Sequence, residues 1–407
     1  MYKRQGVYNL PDFPHRRHHF ISFFLFPSEK IWFSGLLAII AVSFMIVLFV
    51  HFLQGEKKQI GEAFNEEKAL KILTTYGGNS DSQLIFLKDK RMFAYEKDGE
   101  PTVLLQFACF NNKCIVMGDP SGKKEDFPEA IEAFIEETDR LCYLPVFYET
   151  SEEIVMILHE FGYDFIKMGE EAYVDLNSFT TSGKKMKGTR AVLNRIEREG
   201  FTFDVLQPPF STEQMSTFKN ISDNWLGSRK EKGFSLGFFS EDYLQRAPIA
   251  VVKNTQEEIV AFATIMPTYT NNKVGTIDLM RYDPKKAPSG SMDFLFLHLF
   301  AYMKEEHIQW FNLGMAPLSN VGTSRKSFLQ ERIAYLVYEF GSHFYSFHGL
   351  REYKSKYATN WVSRYTLYSR DSWIAYVMIA LLIIDNAPVE QTQGRISGLK
   401  KWIRRKY

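Results

Sequence analysis

Between Ile31 and Leu53 the chain runs for 23 residues without a single Asp, Glu, Lys or Arg. A run of this kind has no polar face to turn toward water, so it does not suit an ordinary surface helix. As a helix it measures about 34 Å, enough to cross a hydrocarbon core of about 30 Å. Trp32 and Phe33 stand at one end like interfacial anchors, and Glu56, Lys57 and Lys58 close the other. The run is longer than a signal-peptide core and no small-residue cleavage site follows, so a retained transmembrane helix is expected over 31–53. Flanking charge gives no orientation. Lys3, Arg4, Arg16, Arg17 and Lys30 precede the segment, and Lys57, Lys58, Lys68 and Lys71 follow it.

The remaining chain is long enough for more than one folded unit, and its 36 Phe supply ample core. A net charge of only +1 means that any basic surface must be a local patch. Cys109, Cys114 and Cys142 form no CxxC pair; they read as small buried hydrophobes in a reducing compartment. The pattern predicts a helix over 62–76, ending at Gly77-Gly78, then strands at 83–87, 91–95, 102–109 and 113–117. After Asp119-Pro120 come a helix (127–141), a strand (143–148), a helix (152–161) and a strand (172–176). A similar order returns about 164 residues later: strands at 249–252, 260–267 and 275–282, Asp283-Pro284, a helix (292–305), a strand (310–313) and a helix around 324–329. The expected fold class is therefore α+β, in two copies each built on a mixed central sheet.

The predicted layout is an N-terminal segment 1–54, a first lobe 55–180, a basic linker helix 181–200, a second lobe 201–370, and an apolar helix with a basic tail 371–407. In the linker, Lys184, Lys185, Lys187, Arg190, Arg195 and Arg198 form either a solvated face or a stripe that binds the phosphates of tRNA or anionic lipid. The stretch 373–384 is apolar but too short to span a bilayer, so it suits a buried or interfacial helix. The tail, Lys400-Lys401-Trp402-Ile403-Arg404-Arg405-Lys406, suits a membrane surface as well as it does a solubilising tail.

Hydrolase triads, zinc motifs, Walker loops and dinucleotide fingerprints are all absent, and the nine histidines are scattered, so no metal is expected. The mixed α+β order suits an acetyltransferase-like (GNAT) fold, in which a glycine-rich turn holds the pyrophosphate of coenzyme A. Here that loop reads Lys285-Lys286-Ala-Pro288-Ser-Gly290-Ser-Met-Asp293, with one glycine and a proline that lacks a donor. Coenzyme A is therefore disfavoured, and no cofactor is expected.

One string, Trp225-Leu-Gly-Ser-Arg229-Lys230-Glu-Lys232-Gly-Phe234-Ser235-Leu-Gly237-Phe-Phe, resembles a signature of the phosphatidylglycerol lysyltransferases, also called multiple peptide resistance factors. So do Asp278-Leu-Met-Arg281-Tyr282, Met292-Asp293-Phe-Leu, Phe311-Asn312-Leu-Gly314-Met-Ala-Pro317-Leu-Ser319 and Gly349-Leu-Arg351-Glu-Tyr353-Lys354-Ser-Lys356, followed by Trp361 and Arg364-Tyr365. The likeness runs from about residue 60 to 370 and includes Asn194-Arg195-Ile-Glu-Arg198-Glu-Gly200.

The resemblance implies tandem GNAT-like lobes that move an aminoacyl group, commonly lysyl, from aminoacyl-tRNA to phosphatidylglycerol. The product is a cationic lipid that lowers susceptibility to cationic antimicrobial peptides. It also implies a bacterial inner membrane location with the catalytic part in the cytoplasm, and a homo-oligomer or a separate flippase domain as further partners. The family's usual many-helix flippase is represented here by one span at most. By the same analogy Asp278, Arg281 and Lys354 are catalytic candidates: Asp278 orients or deprotonates the lipid hydroxyl, Arg281 holds phosphate or the ester carbonyl, and Lys354 grips acceptor-stem phosphate or the oxyanion. If β-alternation persisted, Asp278 and Arg281 would face opposite sides, so a twist or bulge is expected between them. Substrate-binding candidates are Arg229, Lys230, Lys232, Ser235, Gly237, Asn312, Ser319, Arg351 and Lys356. Phe294, Leu295, Phe296, Leu299 and Phe300 are expected either to line an apolar groove for lipid tails or to lie in the core. Two rivals remain: a tRNA-dependent peptidyl transferase of cell-wall cross-bridge type, and a non-catalytic lipid- or tRNA-binding module.

Overall fold

The computed structural model describes the backbone over residues 27–53, 59–271, 273–340 and 347–386, and side chains over somewhat less. The expectations for residues 1–26 and 54–58 and for the basic tail 400–406 lie outside the described residues. The chain divides into two units, 1–59 and 60–407.

The first unit contains helix α1 (Pro27–Leu53, 27 residues), which covers the expected apolar segment. Its side chains are described over 33–49, and Leu36, Leu37, Ile39, Ile40, Phe44, Met45, Ile46 and Phe49 are exposed. Among the described residues, no helix is long and apolar enough to cross a membrane, so the structure does not show the expected span.

The second unit is a mixed α+β fold around one continuous sheet of twelve strands. In chain order these are β1 (Arg91–Lys97), β2 (Glu100–Phe110), β3 (Lys113–Met117), β4 (Ser121–Gly122), β5 (Leu144–Thr150), β6 (Tyr163–Asp175), β7 (Thr202–Leu206), β8 (Ile249–Lys253), β9 (Ile259–Met266), β10 (Val274–Tyr282), β11 (Trp310–Pro317) and β12 (Asn360–Ser369). Their spatial order is β1-β2-β3-β5-β12-β6-β11-β10-β9-β8-β7, with β4 paired to β2. The last strand of each sequence repeat has moved to the other. β12 pairs with β5 of the first repeat and β6 pairs with β11 of the second. The two also pair with each other over ten residues. The expected pair of separate sheets is thus one sheet, joined through the exchanged strands.

The helices are α2 (Glu66–Tyr76), α3 (Phe127–Arg140), α4 (Glu152–Glu160), α5 (Lys187–Arg198), α6 (Thr212–Leu226), α7 (Glu241–Leu244), α8 (Ser291–Glu305), α9 (Leu329–Phe340), α10 (Phe347–Ser355) and α11 (Ile374–Asp385). Their ends follow local chemistry. Asn65 accepts from the Lys68 N–H to start α2, and Ser211 and Gln214 close a reciprocal capping box on α6. The expected strand at 83–87 is instead a buried 3₁₀ helix, Ser82–Leu87, because a short all-apolar run reads alike in either form and left-handed Lys88 (φ 61°) closes it as a turn. The helix expected around 324–329 begins only at Leu329.

The helices and sheet enclose three apolar clusters. One packs α3 and α4 on the first repeat, and another packs α5 and α8 on the second. A third holds Met117, Val146, Ile166 and Met168 with Phe218, Phe262, Leu279 and Met315, so the two repeats share a core. The second cluster contains Phe294, Leu295, Phe296, Leu299 and Phe300, each at most 5% exposed. These residues are core, and the groove reading is set aside. Of the cysteines only Cys114 is buried, while Cys109 and Cys142 are exposed. Those two close strand and helix ends at the surface, where apolar periodicity no longer applies.

Candidate functional site

The two parallel strand pairs differ. In the first repeat, β3 and β5 stay paired from Lys113/Leu144 to Met117/Tyr148, the full length of β3. In the second, β10 and β11 pair only at Val274/Trp310, Gly275/Phe311 and Thr276/Asn312, then part. Each strand also shifts register against its outer neighbour: β10 between Ile277 and Met280, and β11 between Asn312 and Met315. Bulges at these points bend both strands and open a wedge. Asp278 lies on one arm of it, Gly314 and Met315 on the other. The irregularity expected between Asp278 and Arg281 is therefore present.

Asp278 is the post on which a loop is hung. Its carboxylate accepts from Tyr243 Oη at 2.8 Å and from the Gly237 N–H. Burial raises its pKa above the usual carboxylate range, and the bonds from Tyr243 and Gly237 pull the other way. Gly237 is required by closeness rather than by φ, since a Cβ there would stand 2.1 Å from both carboxylate oxygens. The same loop is fixed at two more points: the Phe234 N–H donates to Asp89 at 2.8 Å, and Ser235 Oγ donates to Asp385 at 2.8 Å. Asp89 in turn pairs at 2.7 Å with buried Lys90.

Arg281 does not share Asp278's hydrogen bonds. It pairs with Glu231 at 3.0 Å and lies 4.1 Å from the centroid of the Trp225 ring. Its Nε is buried without a partner, and burial pushes its pKa down. Arg229 lies against the same ring and turns back onto the carbonyls of Leu226 and Trp225. Lys230 and Lys232 are exposed on the loop.

Beyond the wedge lies a denser set of charges. Glu171 on β6 accepts from Arg364 of β12 at 2.7 Å, from Tyr173 at 3.0 Å and from the Asn312 amide. Asn312 also donates to Ser80 at 2.9 Å and accepts the Gly314 N–H at 2.7 Å, holding the bulge of β11. Arg364 reaches Asp119 at 3.7 Å, and Asp119 caps the Ser151 N–H at 2.8 Å. Asp81 and Glu149 complete the group, the latter in a left-handed backbone (φ 64°) that a non-glycine residue adopts at some cost. Four carboxylates thus face two cations, Arg364 and Lys354. Burial, reinforced by the neighbouring carboxylates, lifts Asp81 to about 7 and raises Glu149 well above its ordinary value. Lys354 donates to the Met315 carbonyl at 2.8 Å, and burial lowers its pKa to about 8 against the pull of Glu149 and Glu171.

The structure distributes the remaining candidates more widely. Arg351 bonds to Glu170 and Ser319 (3.1 Å) and stacks 3.4 Å from the centroid of Trp361, so it buttresses the fold. Ser319 is fully buried beneath it. Lys356 is exposed and pairs loosely with Asp293 at 3.5 Å. On α5 and its approach, Lys184, Lys185, Lys187, Arg195 and Arg198 are exposed, whereas Arg190 folds onto the carbonyls of Thr181 and Gly183. A surface depression beside Asn194, Glu197 and Arg198 opens on the same helix. Asp283 accepts the N–H groups of Lys285 (2.8 Å) and Lys286 (3.3 Å) in the loop before α8. Among the described residues there is no group of three or more His, Cys, Asp or Glu side chains placed to hold a metal.

Sequence reasoning missed Tyr243, Asp81, Glu149, Glu171 and Tyr173. Their only sequence signal was polarity in or beside apolar runs, as in Glu170-Glu171 within a strand. That signal becomes interpretable only once β6 is known to sit between β11 and β12.

A mixed sheet whose central parallel strands part at paired bulges, flanked by helices on both faces, is the architecture of a GNAT-like acyltransferase fold. Solved structures share it in detail. The L-PGS structure from Bacillus licheniformis is 48% identical and has a TM-score of 0.71, the match covering 81% of this chain and 99% of that one. The C-terminal domain of a putative lysylphosphatidylglycerol synthetase from Agrobacterium fabrum is 32% identical, with a TM-score of 0.69 over 79% and 96%. Residues 70–368 match the family described as phosphatidylglycerol lysyltransferase, C-terminal, and the chain belongs to that family. The phosphatidylglycerol lysyltransferase of Bacillus subtilis is 45% identical over 356 residues, 88% of this chain and 41% of that protein. The enzyme of the same name from Staphylococcus aureus is 40% identical over 341 residues, 84% and 40% respectively. The chain thus spans about two fifths of the length of these curated relatives.

Proposed function

We propose that the second unit transfers a lysyl group from the 3′ end of a charged tRNA to a glycerol hydroxyl of phosphatidylglycerol. The observation that carries the cargo is a surplus of carboxylates, one buried and three half-buried. Among the described residues, Asp81, Asp119, Glu149 and Glu171 oppose Arg364 and Lys354, and burial holds Asp81 and Glu149 toward protonation. An entering ammonium group restores their ionised forms and replaces the missing counter-charge. A cationic aminoacyl group therefore suits this chamber better than an apolar one.

The donor ester is already activated, so the protein must align the hydroxyl, accept its proton and steady the oxyanion. Lys354 fits the proton acceptor's part. With a pKa of about 8, roughly a quarter of it is neutral at pH 7.5, and its bond to the Met315 carbonyl fixes it at the wedge. The hydroxyl oxygen attacks the ester carbonyl as its proton passes to Lys354 Nζ. Collapse of the tetrahedral intermediate returns that proton to the departing ribose oxygen. Asp278 is the positioning group that fixes the loop 229–239, and Arg281 supplies positive charge beside the wedge for the lipid phosphate. The exposed cations of α5 receive acceptor-stem phosphates, with Lys230, Lys232 and Lys356 as further contacts. The Lys285 and Lys286 N–H groups are taken by Asp283, which supports an acyl donor other than coenzyme A. The chain works at the bacterial inner membrane, with the second unit on the cytoplasmic side where charged tRNA is made.

The test is lipid mass spectrometry on phosphatidylglycerol-containing cells that make this chain, with purified protein, Lys-tRNA and labelled lipid as the in vitro arm. Lysyl-phosphatidylglycerol that disappears with Lys354→Met or with RNase is the expected result. Modified peptide with unmodified lipid, or turnover of acetyl-CoA that survives RNase, overturns it.

A further inference from the structure

Helix α11 is apolar on every side, reading Ile-Ala-Tyr-Val-Met-Ile-Ala-Leu-Leu-Ile-Ile-Asp, yet the described residues cover only one side of it. Val377, Ala380, Leu381 and Ile384 enter the core shared by the two repeats. On the other side Trp373, Tyr376, Ile379, Leu382 and Ile383 are 40–65% exposed. Trp373 and Tyr376 meet edge to face at its start, with ring centroids 5.2 Å apart. A continuous apolar stripe of this kind calls for an occupant.

Three observations favour a bilayer surface. The stripe leads with an aromatic pair, the residues that settle at a headgroup boundary. The chain continues past α11 for 22 further residues that carry Arg395, Lys400, Lys401, Arg404, Arg405 and Lys406 against the single acid Glu390, which complements anionic headgroups. The last residue of α11 also holds the loop at the wedge. Asp385 accepts from Ser235 Oγ at 2.8 Å through its carboxylate, and from the Gly233 N–H at 3.4 Å through its carbonyl. Leu236, the next residue of that loop, is itself half exposed.

We propose that the outer face of α11 seats on an anionic lipid surface, and that Asp385 carries this contact into the loop that Asp278 anchors. Docking then orders residues 233–237 over the wedge when the membrane is engaged. Asp385 acts as a positioning residue. The proposal rests on the lipid-acceptor reading for its purpose, but not for its measurement.

Hydrogen exchange of the full chain, compared in phosphatidylglycerol nanodiscs, phosphatidylcholine nanodiscs and detergent, tests it. In phosphatidylglycerol discs, peptides covering 373–386 and 229–239 should both exchange at least fivefold more slowly than in phosphatidylcholine discs. Ile379→Glu combined with Leu382→Glu, both at exposed positions, should abolish both effects. Asp385→Ala should keep the first and lose the second, with kcat falling more than KM for lipid. Equal exchange of 373–386 in all three settings overturns the docking. So does protection that follows protein concentration rather than lipid, which would assign the stripe to a second copy. Protection of 229–239 that survives Asp385→Ala overturns the coupling. Because the exchange readouts are independent of turnover, a chain that docks but transfers nothing to lipid fails the functional reading alone.

Discussion

Replacing Gly237 with Ala introduces a single methyl group whose consequence follows from the geometry. The new Cβ would lie 2.1 Å from each Asp278 oxygen and 2.2 Å from its Cγ. Relief to an ordinary contact of about 3.4 Å requires a shift of about 1.3 Å, close to the roughly 1 Å misplacement that costs about 10²-fold in rate. Asp278 has little room to yield, because Tyr243, which holds it at 2.8 Å, is fully buried and also bonded to Met266. The loop must move instead, and it loses the Gly237 N–H bond to a carboxylate, a loss of about 1.5–3 kcal/mol. Gly237 does not occupy the left-handed region, so backbone strain adds nothing.

The expected result is a fall in lysyl transfer of about 100-fold, with a Tm lower by several degrees in differential scanning calorimetry. A double variant with Asp278→Ala should recover most of the lost Tm, because the three nearest atoms to the new methyl all belong to Asp278. It should not recover activity. A Gly237→Ala protein that keeps transfer within threefold of wild type would show that the loop need not be seated on Asp278. A double variant whose Tm losses simply add would show that the two residues do not collide.

Lys354→Met should abolish transfer yet raise stability at pH 7 by about 1–3 kcal/mol in urea unfolding, because a lysine whose pKa falls from 10.5 to about 8 is harder to hold in its charged form when folded. The sign is specific: the wild-type penalty is full below pH 8 and fades as pH rises toward 10.5, so the two proteins should converge in stability at high pH. The rate should rise with pH and level off above about 8, and a profile that falls through that range would assign Lys354 its charged form. Asp81→Asn should lower kcat/KM for Lys-tRNA by 10-fold or more while changing that for misacylated Ala-tRNA little, and equal losses for both would remove Asp81 from cargo recognition. Glu171→Gln leaves Arg364 with weakened compensation and should destabilise the fold by about 3–5 kcal/mol, measured by chemical denaturation.

The sequence was most legible where chemistry is local. The strand at 113–117 and the helix from Phe127 follow from a run of apolar residues and from spacing at Phe127, Ala130, Ile131 and Phe134. The Gly237 motif and the Asp278–Arg281 segment were visible as strings, and the structure brings Gly237 and Asp278 into contact. The partners of Arg351 were not legible, because its bonds to Glu170 and Ser319 and its stacking on Trp361 join residues far apart in sequence. The strand β12 went unread because Asn360–Ser369 mixes polar and apolar residues on both faces, so no alternation marks it. Arg364 and Glu171 pair across that strand only because β6 and β12 have changed places, and no local pattern encodes the exchange.

That exchange also explains why the two repeats have unlike roles. The first repeat keeps its parallel strands paired to the end, so it offers no wedge, but it presents Asp81, Asp119 and Glu149 toward the junction. The second repeat opens its strands, and receives Glu171 on a strand donated from the first. Lys354, on the helix just before the donated β12, sits where these contributions meet. Neither repeat holds the full set, so a fragment ending at residue 200 or starting there loses both its edge strand and half of its charges. Carboxylates crowded together are destabilising when their counter-charges are fewer, and here they persist across two repeats that must pair to assemble them. Under the proposed lysyl transfer an entering ammonium group completes the chamber, and stability given up in the empty protein becomes selectivity for a cationic aminoacyl group.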